Sequence, residues 1–270
     1  MKFSTQSEKA ASAIGRPDAN IYTSGEYWDN IPDYLAGQAP NKIRYLLRLI
    51  DFDALRKKIP GKTLSIVDIG CGAGMVSAGL AACLRQRYSD LEITVDGYDL
   101  SPRAIEIAQK RNPEGRFVCG DFRDAGRTWD LAVLCDVIEH VENPDAFLRA
   151  VAERARFFVV GFAMDDNLAN RLDRARREHV INSGHVSLFD EKRALSLGRR
   201  YGSLRRHGYI DNAVSRTLKY RSLRGLFTLP LRLSLLLFSR RIKGKIFGGE
   251  SLYVFAEAGC FKECQPRPSQ

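Results

Sequence analysis

Val67-Asp68-Ile69-Gly70-Cys71-Gly72-Ala73-Gly74 decides the reading of this chain. It closes a short apolar run, TLSIVDIG, and opens a helical pattern, AGMVSAGLAACLRQRY. Glycines at 70, 72 and 74 permit a tight turn and let a ligand come close to bare backbone. Met75 stands where the third glycine of a dinucleotide fingerprint would fall, and no lysine follows as in a phosphate-binding loop. Cys71 reads as a small buried residue within this turn rather than a nucleophile.

Working outward, strands and helices alternate. LEITVDGYDL, GRFVCGDF, WDLAVLC and RFFVVGFA are apolar runs. SPRAIEIAQKRN and NPDAFLRAVAERA are helices with Ser101 and Asn143 as caps. Alternation of this kind predicts an α/β fold, a doubly wound parallel sheet with helices on both faces. Upstream, NKIRYLLRLIDFDALRKKI reads as one helix, ended by Pro60-Gly61. After Met164 the chain is polar and irregular, then DEKRALSLGRRYG is a helix, SLRRHGYIDNAVS a candidate strand and SLYVFAEAGC a last strand.

Acids recur at the strand ends: Asp68, Asp99, Asp121 and Asp136. Each could simply cap the following helix. Together they line the crevice where open α/β sheets bind ligands. A carboxylate such as Asp99 can accept hydrogen bonds from both hydroxyls of a ribose, and Asp121-Phe122 can meet an exocyclic amine and a purine face.

VDIGCGAG, YDLSPRAIEIAQ, CGDF and WDLAVLCDVIEHVENP resemble the successive motifs of class I S-adenosylmethionine (SAM)-dependent methyltransferases, nearest the ubiquinone and menaquinone branch. The resemblance covers about residues 60–165. It implies a Rossmann-like seven-stranded sheet with the last strand antiparallel, and SAM as cofactor. It also implies that Asp68, Gly70, Gly72 and Gly74 hold the methionine end, with Cys71 of the same turn among the cofactor-binding residues. Asp99 and Leu100 would hold the ribose and flank the adenine, Asp121 and Phe122 would meet the adenine, and Asp136 and Val137 would border the methyl group. The acceptor is expected to be a small molecule methylated at oxygen, lipid-like or a quinone precursor. A methyltransferase acting on RNA or protein, and a non-catalytic SAM-binding module, are the alternatives.

A hydroxyl acceptor benefits from a base. His140, in a Glu-His pair the related quinone enzymes also carry, and His185, in SGHVSLF, are the catalytic candidates. Structural hydrogen bonding or loop packing is the competing role for each. His179 and His207 lie in Arg-rich stretches and read as surface residues. Tyr22, Tyr27 and Trp28 either cover the cofactor or pack the arm onto the domain.

With 270 residues, 44% hydrophobic and 27% charged, the chain is an ordinary globular protein rather than a disordered or disulfide-built one. The N-terminus lacks the apolar core of a signal peptide, and six cysteines sit mostly in apolar runs, which points to the cytoplasm. No metal site is expected. The organisation reads as an arm and cap helix over 1–59 and a methyltransferase domain over 60–270, with cap insertions at about 165–190 and 213–249. The net charge of +10 lies entirely within 199–249. There LFTLPLRLSLLLF, residues 226–238, is flanked by Arg and Lys and is too short to span a bilayer. Such a segment suits the anionic inner face of a membrane, an internal cover or homodimer contact, or, least well, nucleic acid.

Overall fold

The computed structural model describes residues 38–59, 61–211 and 250–261, together with Ile242, Lys245 and Ile246. The arm aromatics Tyr22, Tyr27 and Trp28, and nearly all of the 213–249 insertion, lie outside the described residues.

Seven strands form one sheet: β1 (Thr63–Ile69), β2 (Glu92–Asp99), β3 (Arg116–Cys119), β4 (Trp129–Leu134), β5 (Ala155–Ala163), β6 (Gly202–Asp211) and β7 (Glu250–Ala258). Their order is β3-β2-β1-β4-β5-β7-β6. The pairs among β1 to β5 are parallel, and β7 lies antiparallel between β5 and β6. This is the expected seven-stranded architecture with its last strand reversed. The four-residue β3 is shorter than its apolar run suggested.

Both faces of the sheet are buried, which is why the strands read as continuous apolar runs rather than alternations. Ile66, Leu131, Phe157 and Phe255 point into one core, and Val67, Ala132, Phe158 and Val254 into the other. The first core is covered by α1 (Ala39–Leu49), α2 (Phe52–Arg56), α3 (Met75–Arg87) and α4 (Pro102–Arg111). The second is covered by α5 (Pro144–Arg154) and α8 (Glu191–Tyr201).

Ser101 and Asn143 cap α4 and α5 as expected, accepting from the amides of Ala104 and Ala146. The single helix expected over 41–59 is two. Ile50 leaves the helix in an extended conformation, and Asp51 caps α2 by accepting from Ala54 N at 3.1 Å. The polar stretch after Met164 is not irregular throughout: it forms α6 (Leu168–Leu172) and α7 (Arg174–Asn182), capped by Asn167 and Asp173.

Register aligns the carboxyl ends of the central strands. Ile69 sits opposite Tyr98 on one side and Leu134 on the other, and Asp99 opposite Cys119. The order of strands reverses at β1, so the crevice that ligands use in open α/β sheets opens between β1 and β4.

Candidate functional site

The glycine turn lies at that crevice. Gly70 and Cys71 both donate to Tyr98 O, at 2.7 and 3.1 Å, so the turn is stitched to β2 beyond the end of β1. Gly70, Gly72 and Gly74 have φ of +68°, +51° and +70°, a region that costs other residues energy. At Gly70 a Cβ would stand 2.4 Å from Val137 Cγ2, and at Gly74 2.7 Å from the Phe117 ring. The turn is therefore pressed from below by side chains as well as left bare above.

Asp99 braces the turn from β2. Its Oδ2 accepts from Gly72 N at 2.8 Å and its Oδ1 from Ser101 N at 2.9 Å. Burial pushes its carboxyl above the usual range, against these hydrogen bonds. Asp68 is 2% exposed, and burial pushes it up to about 7 despite hydrogen bonding from Ser77. Cys71 is buried and its thiol is pushed well up by the same desolvation, so it is no thiolate.

The third strand end is arranged differently. Asp121 caps a 3-10 turn, accepting from Arg123 N at 2.8 Å and from Arg123 Nε at 2.9 Å, which holds its carboxyl low. Phe122 is 2% exposed and its ring packs edge-on against Phe147 in the core, so the ring itself is not open to a purine. Leu100 is 58% exposed, and it is the apolar side chain next to Asp99 free to flank a base.

Asp136 has φ of +57°, the sole non-glycine positive φ among the described residues. Such strain persists where surrounding contacts enforce it. Here Asp136 forms an ion pair with Lys42, from α1, whose side chain is nearly fully buried. Burial lowers the Lys42 pKa, but the fields of Asp136 and its neighbours outweigh that and hold the ammonium charged. Sequence reasoning missed Lys42. Its signal is a lysine on the apolar stripe of α1, with Ala39, Leu46 and Leu49. Lys42, Asp68, Gly70–Ala73, Met75, Val76 and Cys135 wall a narrow cleft of about 50 Å³.

Both candidate histidines converge beside this cleft. Their rings meet edge-on with centroids 4.8 Å apart. His140 Nδ1 lies 3.0 Å from Gly184 O, and His185 Nδ1 lies 2.6 Å from Asp165 Oδ2. The loops carrying them are tied through Glu139 O, which accepts from Val186 N and Ser187 N, both at 2.9 Å. Glu139 is buried with no hydrogen-bond partner on Oε2, and burial, then Asp136, pushes its carboxyl up to about 8. Burial, then His185, lowers the His140 pKa. Burial also lowers that of His185, but Asp165, Glu139 and Asp136 outweigh it and the net shift is upward. Donor atoms of Glu139, His140 and His185 all lie within 4.8 Å of one another, a spacing that suits a shared proton or a divalent cation. His179 and His207 are exposed, as expected.

A second, larger hollow of about 760 Å³ shares no lining residue with the cleft. Met164, Leu168 and Leu195 are its apolar lining, and its charged lining is mixed, with Arg171, Lys192, Arg199 and Lys245 beside Asp166, Asp190 and Glu191. Met164 and Asp166 of its wall bracket Asp165. No helix among the described residues is long and apolar enough to cross a membrane.

Comparison with known proteins agrees with this arrangement. Residues 33–202 match a family described as a methyltransferase domain. Among curated proteins, the ubiquinone biosynthesis O-methyltransferase of Methylobacterium nodulans is 35% identical over 102 residues, 35% of this chain and 37% of that one. The protein of the same description from Azorhizobium caulinodans is 30% identical over 167 residues, 57% and 61% of the two chains. The chain thus spans under two thirds of the length of these relatives. Magnesium protoporphyrin IX methyltransferase from Synechocystis, solved with bound SAH, superposes with a TM-score of 0.54 at 17% identity, covering 89% of this chain and 96% of that one, a likeness of fold.

Proposed function

This chain belongs to the methyltransferase-domain family, and we propose that it is a SAM-dependent methyltransferase transferring methyl to oxygen of a small, lipid-like acceptor. The observation that carries the reading is the bare glycine turn at 70–74 braced by the Asp99 carboxylate at the crevice.

The donor set fits the cofactor. A ribose diol needs an acceptor-only group, which Asp99 supplies with its remaining lone pairs. Leu100 offers an apolar flank for the base. The turn at Gly70–Gly74 offers backbone to the amino-acid end, Lys42 suits its carboxylate, and Asp68 and Asp136 suit cationic centres. A ligand pocket usually holds about 300–1,000 Å³. The cleft, at about 50 Å³, is narrower.

When bound, SAM supplies a methyl group already activated by its sulfonium. The protein's part is then alignment, exclusion of water and proton removal. His185 and His140, whose rings meet edge-on, are the groups that would take a hydroxyl proton. The description of these relatives, ubiquinone biosynthesis O-methyltransferase, favours a quinone-precursor acceptor. The basic and apolar composition of 213–249 favours an anionic membrane face as the place where such an acceptor is met.

Isothermal titration tests the cofactor: heat with SAM and with its demethylated product is expected, and none with either overturns the reading. RNA binding that falls steeply with salt would instead favour a macromolecular acceptor. Co-sedimentation with anionic liposomes tests the membrane face, and no loss on deleting 213–249 refutes it.

A further inference from the structure

We propose that Asp165 is a positioning residue that holds the His185 ring with its proton on Nδ1, so that Nε2 is the atom presented to the acceptor hydroxyl. This rests on the proposed methyl transfer for its purpose, but the geometry stands without it.

Asp165 follows β5 by two residues and is pinned from several sides. Its amide donates to Ala163 O at 2.9 Å, and its carbonyl accepts from Asn170 Nδ2 at 2.9 Å and Asn167 Nδ2 at 3.3 Å. Asn167 is itself buried and also donates to Met164 O at 3.0 Å. The carboxylate is 17% exposed and approaches His185 Nδ1 at 2.6 Å. An ionised carboxylate only accepts, so Nδ1 must donate, and the neutral ring is left with its lone pair on Nε2.

The other side of the ring is equally fixed. Val186 and Ser187 donate to Glu139 O, and Ser187 Oγ donates to Val141 O at 2.9 Å. His140 stands edge-on to His185 and is held by Gly184 O, the residue before it. Asp165, Glu139, Asp136 and His140 are the titratable groups that act on His185. Two loops and a short helix thus converge to orient one imidazole, more restraint than a packing histidine needs.

The proton balance is simple. The hydroxyl proton passes to Nε2 while the oxygen pair bonds the methyl carbon and the carbon–sulfur pair stays on a neutral thioether. The imidazolium so formed keeps its Nδ1 proton on Asp165, which stabilises the new charge.

Nitrogen-15 spectra of the ligand-free protein test this directly. With four histidines, His185 is assigned by its loss in His185→Gln. At a pH where the ring is neutral, Nδ1 is expected to be the protonated nitrogen and Nε2 the bare one. In Asp165→Leu, which offers Nδ1 no acceptor, the proton is expected to shift towards Nε2 and the two resonances move accordingly. Asp165→Glu restores the original pattern. A wild-type ring protonated on Nε2, or an unchanged tautomer in Asp165→Leu with a native amide spectrum, overturns the proposal. Calorimetry with SAM on the same samples separates the two readings, because absent SAM binding removes the methyltransferase while leaving the tautomer result intact.

Discussion

Gly70→Ala tests how the turn is built. The new methyl would be strained twice. At φ +68° a non-glycine residue costs about 1–2 kcal/mol. Its Cβ would stand 2.4 Å from Val137 Cγ2, far inside the ~3.5–4.0 Å of a carbon contact. Overpacking of that kind costs roughly 1–3 kcal/mol. The sum is about 2–5 kcal/mol. Because 1 kcal/mol moves a chain of this size by about 2–4 °C, a melting-temperature drop of roughly 4–20 °C is expected. The steric part is separable. Val137→Ala in the same chain removes the opposing methyls, so the double variant should recover about 1–3 kcal/mol relative to additivity. Chemical denaturation of the four proteins of the cycle measures this coupling. Strictly additive effects would refute the claim that Val137 presses the turn from below.

Asp99→Ala should weaken SAM binding by ~10-fold or more, since a hydrogen bond to a charged group contributes about 1.5–3 kcal/mol, and calorimetry showing unchanged affinity would misplace the ribose. Stability should fall from pH 5 towards 8. Glu139 and Asp68 have folded pKa values raised to about 8 and about 7, so each binds its proton more tightly when folded and loses that contribution as pH rises through those values. Glu139→Gln should flatten the slope, and an unaltered pH dependence of melting would show that this carboxyl is ionised throughout. His140, with its lowered pKa, acts oppositely and below neutrality. If the Glu139–His140–His185 cluster handles protons alone, a chelator leaves methyl transfer unchanged; loss restored by a divalent cation would assign the cluster to a metal.

Much of this was legible because the crevice is a product of strand ends. Apolar runs fix where strands stop, and the acids at those ends, Asp68 and Asp99 in the last residues of β1 and β2 and Asp136 just after β4, then fall at one edge. Asp165 obeys the same rule two residues after β5 and could have been found by it. Lys42 could not be assigned a task from spacing, since a buried lysine on an apolar stripe acquires meaning when its partner, 94 residues away in sequence, is known. Phe122 shows the converse: its position after β3 was readable, but its ring direction depends on Phe147, from a helix two elements later. The break at Ile50-Asp51 was hidden by an apolar periodicity that carries across a capped junction.

The Lys42 ion pair makes the first described helix part of the ligand machinery rather than an appendage to it. A chimera or crop that began at the first strand, near residue 60, would keep every recognisable glycine and acid yet discard the cation lining the cleft. It would also strand Asp136 in a left-handed conformation without its counter-charge. Homologue-swapping or minimal-domain engineering therefore has to carry residues 38–59 along with the sheet.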